Sequence, residues 1–241
     1  MLAVDGLVNA RDLGGLPLLR GGLTSSGVFY RSETADRITP TGWNQLRENG
    51  IRSIVDLRAP GERERDVQPR PDWLTTVAVD LDGPENREFW PYYEDSGLDG
   101  TAVYFLPHLA AMPERIGSVL TALAEAPEGG VLFHCMSGRD RTGLTAMVLL
   151  SLVGVRPEAI IDDYLETIRL GGGFALTTNA KYELTPIDDL LGGYGTTAEK
   201  AFRAALEGLD LDEVLRRAAL AQHLRETLET WRGRLGPRGI G

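Results

Sequence analysis

Five residues separate Cys135 from Arg141, and the stretch His134-Cys135-Met136-Ser137-Gly138-Arg139-Asp140-Arg141-Thr142-Gly143 holds the chain's single cysteine. Val131 to His134 reads as a buried strand leading in, and Leu144 to Val153 as an apolar helix leading out. A short loop from a strand end into a helix start turns successive backbone N–H groups toward one point, where the helix N-terminus adds partial positive charge. Such a nest binds a phosphate dianion, here with donors from Met136, Ser137, Gly138, Arg139, Asp140 and Arg141. The same field lowers the pKa of a cysteine at its base and favours a nucleophilic thiolate. The planar fork of Arg141 suits two equatorial phosphate oxygens as the transition state spreads charge over them. Gly138 and Gly143 permit backbone conformations and close approach that other residues obstruct.

An open α/β sheet carries its ligands at the C-terminal ends of its strands. Ile51 to Leu57 reads as one such strand, so Asp56 and Arg58 become candidate site residues. Thr39-Pro40 opens a helix before it, and Thr75 to Leu81 reads as a further strand. Leu16 to Leu19 and Val28 to Tyr30 suit a hairpin around Gly21-Gly22. Glu62 to Asp66 is a charge run, which as a rule is a solvated helix face. Residues 83–107 are rich in Gly, Pro, aromatics and acids and read as a loop region, either a substrate wall or core. Gly171-Gly172-Gly173 marks a boundary, 177–196 reads as loop-rich, Leu211 to Trp231 as one helix, and 237–241 as a frayed end. The expected fold is α/β: a central, mostly parallel sheet flanked by helices, within a single domain over 1–241. Residues 174–236 form a helical C-terminal extension that could be a lid.

Net charge is -10 over 241 residues, which disfavours nucleic acid and anionic membrane surfaces as partners. One cysteine excludes an internal disulfide and suits a reducing, cytoplasmic setting. No signal peptide is read at the N-terminus. No His, Cys and Asp set has metal-ligand spacing, so no metal or cofactor is expected.

The loop matches the signature of cysteine-dependent phosphatases, and its longer string resembles the bacterial atypical branch of the tyrosine phosphatases, whose loop usually reads HCxxGKDRTG. Asn9-Ala10-Arg11-Asp12-Leu13-Gly14-Gly15 resembles that branch's N-F-R-D-L-G-G, and Ile54-Val55-Asp56-Leu57-Arg58 is a third shared motif. The resemblance covers about residues 5–168 and fades beyond. It implies a metal-independent phosphatase acting through a phosphocysteine on phosphotyrosine or dual-specificity protein substrates. It implies that the Thr142 hydroxyl bonds the sulfur, that His134 orders the loop, and that Arg11 or Asp12 bonds to the phosphate loop. It favours Asp140 as proton donor, with Asp56 second and a mid-chain acid (Asp80, Asp82, Asp95 or Asp99) third. Arg139 replaces the usual lysine, and could form a second anion pocket with Arg58 and Arg11. Phosphatases of a small metabolite, biosynthetic intermediate or phosphoinositide are the main alternative, and a non-catalytic phosphate-binding module a distant one. A homo-oligomer is left open.

Overall fold

The computed structural model describes residues 1–66, 68–178 and 187–236. Five strands, β1 (Arg11–Asp12), β2 (Phe29–Ser32), β3 (Ile51–Asp56), β4 (Thr75–Ala78) and β5 (Gly130–His134), form one sheet in the order β1-β2-β5-β3-β4. Only β1 is antiparallel to its neighbour; β2, β5, β3 and β4 run parallel. Strand β5 is therefore central and buried along its whole length, as the apolar run Val131 to Phe133 requires of a strand covered on both faces.

Alternation along the strands divides the core. Tyr30, Ile54 and Leu132 face Trp43 and Leu46 of α1 (Pro40–Glu48) and the N-terminal segment at Val4, Leu7 and Ala10. Phe29, Val55, Val131 and Phe133 face the larger helical layer. That layer includes α5 (Pro113–Glu125), α6 (Asp140–Val153) and α7 (Pro157–Thr178). Helix α1 starts as the sequence dictates: Thr39 Oγ1 accepts from Gly42 N at 3.1 Å and Pro40 takes the first turn. From Leu144 on, helix α6 is apolar almost all round because it is buried on nearly every side, and Gly154 ends it in the left-handed region at φ 84°.

Several expectations are corrected. Leu16 to Thr24 closes on itself, with Leu18 N donating to Gly22 O at 3.0 Å, while Phe29–Ser32 pairs with Arg11–Asp12 and β5 instead of forming a hairpin with it. The strand after Trp73 stops at Ala78. Residues 83–107 are not mainly loop: α2 (Pro60–Arg63) is followed after β4 by α3 (Trp90–Ser96) and α4 (Phe105–Ala111). Gly171 to Gly173 is no boundary, since α7 runs through it to Thr178. Of the loop expected at 177–196, residues 187–192 form α8 (Ile187–Gly192), while 179–186, like 237–241, lie outside the described residues. Leu211 to Trp231 is two helices, α10 (Leu211–Arg217) and α11 (Gln222–Glu229), parted where Ala219 takes φ 52°.

Asp210 caps α10 by accepting from Glu213 N at 3.1 Å. Helices α10 and α11 pack on α5 and α6, and α9 (Ala198–Glu207) packs on α7. Leu224, Leu228 and Trp231 are buried and Leu220 partly so, and the Trp231 indole donates to Ser25 O at 2.8 Å. Among the described residues no helix is long and apolar enough to cross a membrane.

Candidate active site

Strand β5 delivers His134 and Cys135 to the C-terminal rim of the sheet, and α6 begins five residues after Cys135, at Asp140. The carbonyls of the intervening loop are held from outside. Thr34 N donates to Met136 O at 2.9 Å, Asn9 Nδ2 to Ser137 O at 3.5 Å, and Arg31 Nη2 to Gly138 O at 2.7 Å. In a planar trans peptide the carbonyl and the following N–H point opposite ways. Anchoring three carbonyls outward therefore turns the N–H groups of Ser137, Gly138 and Arg139 toward the loop's centre. Gly138 sits at φ 71°, and a Cβ there would lie 2.6 Å from Ser32 O, so neither conformation nor space admits a side chain.

Arg31 belongs to a buried network. Its Nη1 pairs with Asp163 Oδ2, and Arg11 Nε pairs with Asp163 Oδ1 at 2.6 Å. Arg11 also donates to Asn9 Oδ1 at 2.5 Å and Thr167 Oγ1 at 2.7 Å. Burial alone would push the Asp163 carboxyl up, but Arg31 and Arg11 hold it below the usual carboxylate range. The expected bond from Arg11 or Asp12 to the phosphate loop is absent: Arg11 acts through Asn9 and Asp163, and Asp12 caps Gly14 N and Gly27 N, each at 2.8 Å. Asn9, Arg31 and Asp163 went unassigned from sequence. An arginine directly after the apolar run Val28 to Tyr30, where the strand continues, is the available signal for Arg31.

Asp56 and Arg58 face each other. Arg58 Nε donates to Asp56 Oδ1 at 2.9 Å and Nη2 to Oδ2 at 2.8 Å, and Arg58 also pairs with Asp36 at 2.7 Å. Although burial opposes it, the hydrogen bonds from Arg58 and the nearby His134 and Arg58 charges hold the Asp56 carboxyl below its ordinary value. An acid held ionised by a bidentate arginine is a poor proton donor. Arg11 and Arg58 are thus engaged by carboxylates, and Arg139 Nε donates to Gly100 O at 3.0 Å, so these three residues form no second anion pocket. Burial lowers the His134 pKa. With the proton on Nδ1, its ring donates to Cys135 O at 2.9 Å and fixes the loop's first turn.

At the mouth, Cys135 is fully buried, with Sγ 3.8 Å from Asp140 Oδ1. Its thiol is pushed above its ordinary value, first by burial and then by Asp140, against the pull of Arg141 and of the Thr142 hydroxyl and amide. The expected lowering is not met, first because the sulfur is fully buried, then because the Asp140 carboxylate lies beside it, while Arg141 is shared with other acids. Arg141 pairs with Glu62 through both nitrogens, Nη2 to Oε1 at 3.0 Å, and with Asp82 Oδ2 at 2.9 Å.

Glu62 was legible only as part of a charge run. Yet Pro60 starts a helix at the sheet rim, and Glu62 lies in that helix's first turn, its Oε2 accepting from Ala59 N at 3.1 Å. Its carboxylate occupies the Arg141 fork that a phosphate needs. Glu62→Gln is therefore expected to lower the inhibition constant of inorganic phosphate about 2- to 5-fold, the range of a partly exposed charge pair; titrating phosphate inhibition in both proteins checks it.

Asp82 sits on a rigid turn after β4. Asp80 Oδ1 accepts from Asp82 N at 3.0 Å and Gly83 N at 3.2 Å, and Trp90 Nε1 donates to Asp82 O at 2.9 Å. His108 Nε2 contacts Leu81 O at 2.9 Å; burial lowers this imidazole to about 4, so it is neutral. Burial pushes the Asp82 carboxyl up to about 7, with Asp140, Glu62 and Asp80 adding to the rise against Arg141. A cleft of about 120 Å³ opens here, lined by Asp82, Pro84, Trp90, Glu94, Asp99, Asp140 and Arg141. Helix α3 supplies its aromatic wall and is braced by the Tyr194 hydroxyl, which donates to Ser96 O at 3.0 Å. None of α9, α10 or α11 lines the cleft. Among the described residues no group of three His, Cys, Asp or Glu side chains could hold a metal ion.

A parallel sheet delivering a cysteine into an anion nest, with an arginine six positions on, defines the cysteine-dependent phosphatase class. The profile of the tyrosine phosphatase family matches residues 2–228, and the chain belongs to that family of enzymes. A Cupriavidus necator protein bearing the provisional name tyrosine-protein phosphatase is 28% identical over 87% of this chain and 81% of its own. A triple specificity protein phosphatase, PtpB, of Mycobacterium tuberculosis is 29% identical over 58% of this chain and 61% of its own. A tyrosine-protein phosphatase of Nostoc commune is 28% identical over 61% of this chain; the match spans about half of that protein, 51%. Among solved structures, P. aeruginosa TpbA, a cysteine-to-serine variant in complex with phosphotyrosine, is similar at TM-score 0.43 and 18% identity. That match covers 83% of this chain and 90% of TpbA.

Proposed function

We propose that the enzyme hydrolyses phosphotyrosine in proteins through a phosphocysteine on Cys135. What carries this reading is the loop whose carbonyls are tied outward around a single buried cysteine, with Arg141 at its rim. Asp140, beside Sγ, accepts the thiol proton. The sulfur attacks phosphorus, the S–P bond forms as the bond to the leaving oxygen breaks, and Arg141 with the loop N–H groups holds the equatorial oxygens. In-line attack places the leaving oxygen on the side of phosphorus away from sulfur. Asp82, across Arg141 and protonated below about pH 7, gives that oxygen its proton. In the second half Asp82 takes a proton from the attacking water, the P–O bond to water forms and the S–P bond breaks. Thr142 favours the departing thiolate. A free catalytic thiol suits a reducing compartment such as the cytoplasm.

A substrate panel under reductant tests the reading. Phosphotyrosine peptides should exceed phosphoserine peptides, nucleotides, sugar phosphates and phosphoinositides in kcat/KM by about 10-fold or more, since the sulfur is fully buried and a long aryl ester carries its phosphate further in. Strong turnover of one small phosphate with weak turnover of all peptides would replace the protein substrate with that metabolite.

A further inference from the structure

The lining of the cleft combines Trp90 and Pro84 with an acidic set. Asp82, Glu94, Asp99 and Asp140 supply four carboxylates, and Arg141 is the one cation among the lining residues. Arg141 is already matched by Glu62 and Asp82. Outside the phosphate nest and Asp82, which is protonated below about pH 7, the charged groups lining the cleft are the carboxylates of Glu94 and Asp99, with Arg139 beside Asp99. Two further features make this a binding surface for an aryl ester rather than a patch of acids. Trp90 lines the cleft, with Phe89 at 5.0 Å and Tyr104 at 5.5 Å between ring centroids. The Tyr104 hydroxyl, fully buried and without a hydrogen-bond partner, has Asp140, Asp82, Arg141 and Cys135 as its charged neighbours.

We propose that the cleft selects phosphomonoesters whose leaving group carries a positive charge beside its aryl ring, in protein terms a phosphotyrosine with Lys or Arg as immediate neighbours. The inference rests on the phosphatase reading above and adds the substrate's charge. The phosphate dianion is held by the loop and Arg141, the ring lies along Trp90, and an ammonium or guanidinium next to the ring meets Glu94 and Asp99. A ligand with a second phosphate places that group against the same carboxylates and is rejected, because like charges in a partly desolvated cleft repel.

The experiment compares kcat/KM for two phosphotyrosine peptides, one with Lys and Arg flanks and one with Asp and Glu flanks, at low and high salt. The basic peptide should win by about 10-fold at low salt, and the ratio should shrink as salt screens the rim. In Glu94→Gln/Asp99→Asn the ratio should fall toward one, while Asp72→Asn, which removes an exposed acid elsewhere, should keep it. A ratio near one in the wild type, or a preference that survives in the double variant, overturns the proposal. Should no peptide turn over, the protein-substrate reading fails by itself. The charge rule is then read on a matched pair of aryl phosphates bearing an ammonium or a carboxylate, where equal rates overturn it.

Discussion

Cys135→Ser is expected to reduce turnover by about 10⁴-fold or more, the scale of removing a covalent nucleophile, while leaving anion binding in place. The nest does not depend on the sulfur. Its N–H groups are aimed by Thr34, Asn9 and Arg31, and its cation is Arg141, all untouched by the change. The serine hydroxyl finds the same neighbour, Asp140, so the buried position keeps a polar partner. Tungstate or phosphate binding by calorimetry should therefore persist, with a melting temperature within a few degrees of wild type. The single cysteine makes a second readout specific: acid-quenched wild type should carry a phosphoryl adduct on the peptide containing Cys135, and the variant none. Normal turnover by the variant would end the nucleophile assignment. Loss of anion binding together with activity would instead place the damage in the loop's shape.

Much of this site was legible because its chemistry is local. The strand, the five-residue loop and the helix behind it are contiguous, and their residue types state their roles: buried apolar residues, glycine where φ is positive, an arginine at the rim. The helix opened by Thr39-Pro40, the helix behind the loop and the parallel core of the sheet followed from the same patterns. What sequence could not supply were partners across long separations. Glu62 and Asp82 reach Arg141 over 79 and 59 positions, and Asp163 reaches Arg31 over 132. An acid in a charge run and an acid on a strand end look alike until the fold decides which one is desolvated. The Cys135 thiol is a different case, since its neighbour Asp140 is only five positions on: a helix N-terminus favours a thiolate, but full burial, which only the fold reveals, and the Asp140 carboxylate push the thiol up.

The helix breaks show the complementary limit. Three successive glycines cost helix stability of roughly 1 kcal/mol each, which suggests an end at 171, yet α7 continues through them to Thr178. Conversely, the continuous stripe from Leu211 to Trp231 suggests one helix. Packing on both α5 and α6 instead divides it, with Ala219 in the left-handed region between two short segments. Local propensity set neither boundary.

Asp82→Asn and Asp140→Asn should separate two proton roles that one carboxylate could have filled. If Asp82 is the donor, its loss should slow aryl phosphates with poor leaving groups by about 10²- to 10³-fold and spare those with good ones, since an acidic phenol departs without help. In the wild type, kcat for the poor leaving groups should fall as pH rises through about 7, and that limb should vanish in Asp82→Asn. Asp140→Asn should slow all leaving groups alike, because it touches formation of the thiolate, and should move the acidic limb of kcat/KM by removing a charge that raises the thiol. A leaving-group dependence confined to Asp140→Asn would return the donor role to the loop aspartate. Stability supplies an independent sign. Asp82 is raised from 3.8 to about 7 in the fold, so the stability its neutral form contributes is complete below 3.8 and lost as pH rises through about 7. Asp82→Asn keeps an uncharged side chain at every pH, and should melt at or above the wild-type temperature in a buffer of about pH 8 while it loses activity there. A residue whose removal steadies the fold and disables the chemistry is held in a costly environment for the reaction, whereas a lower melting temperature at that pH would make Asp82 a structural partner of Arg141.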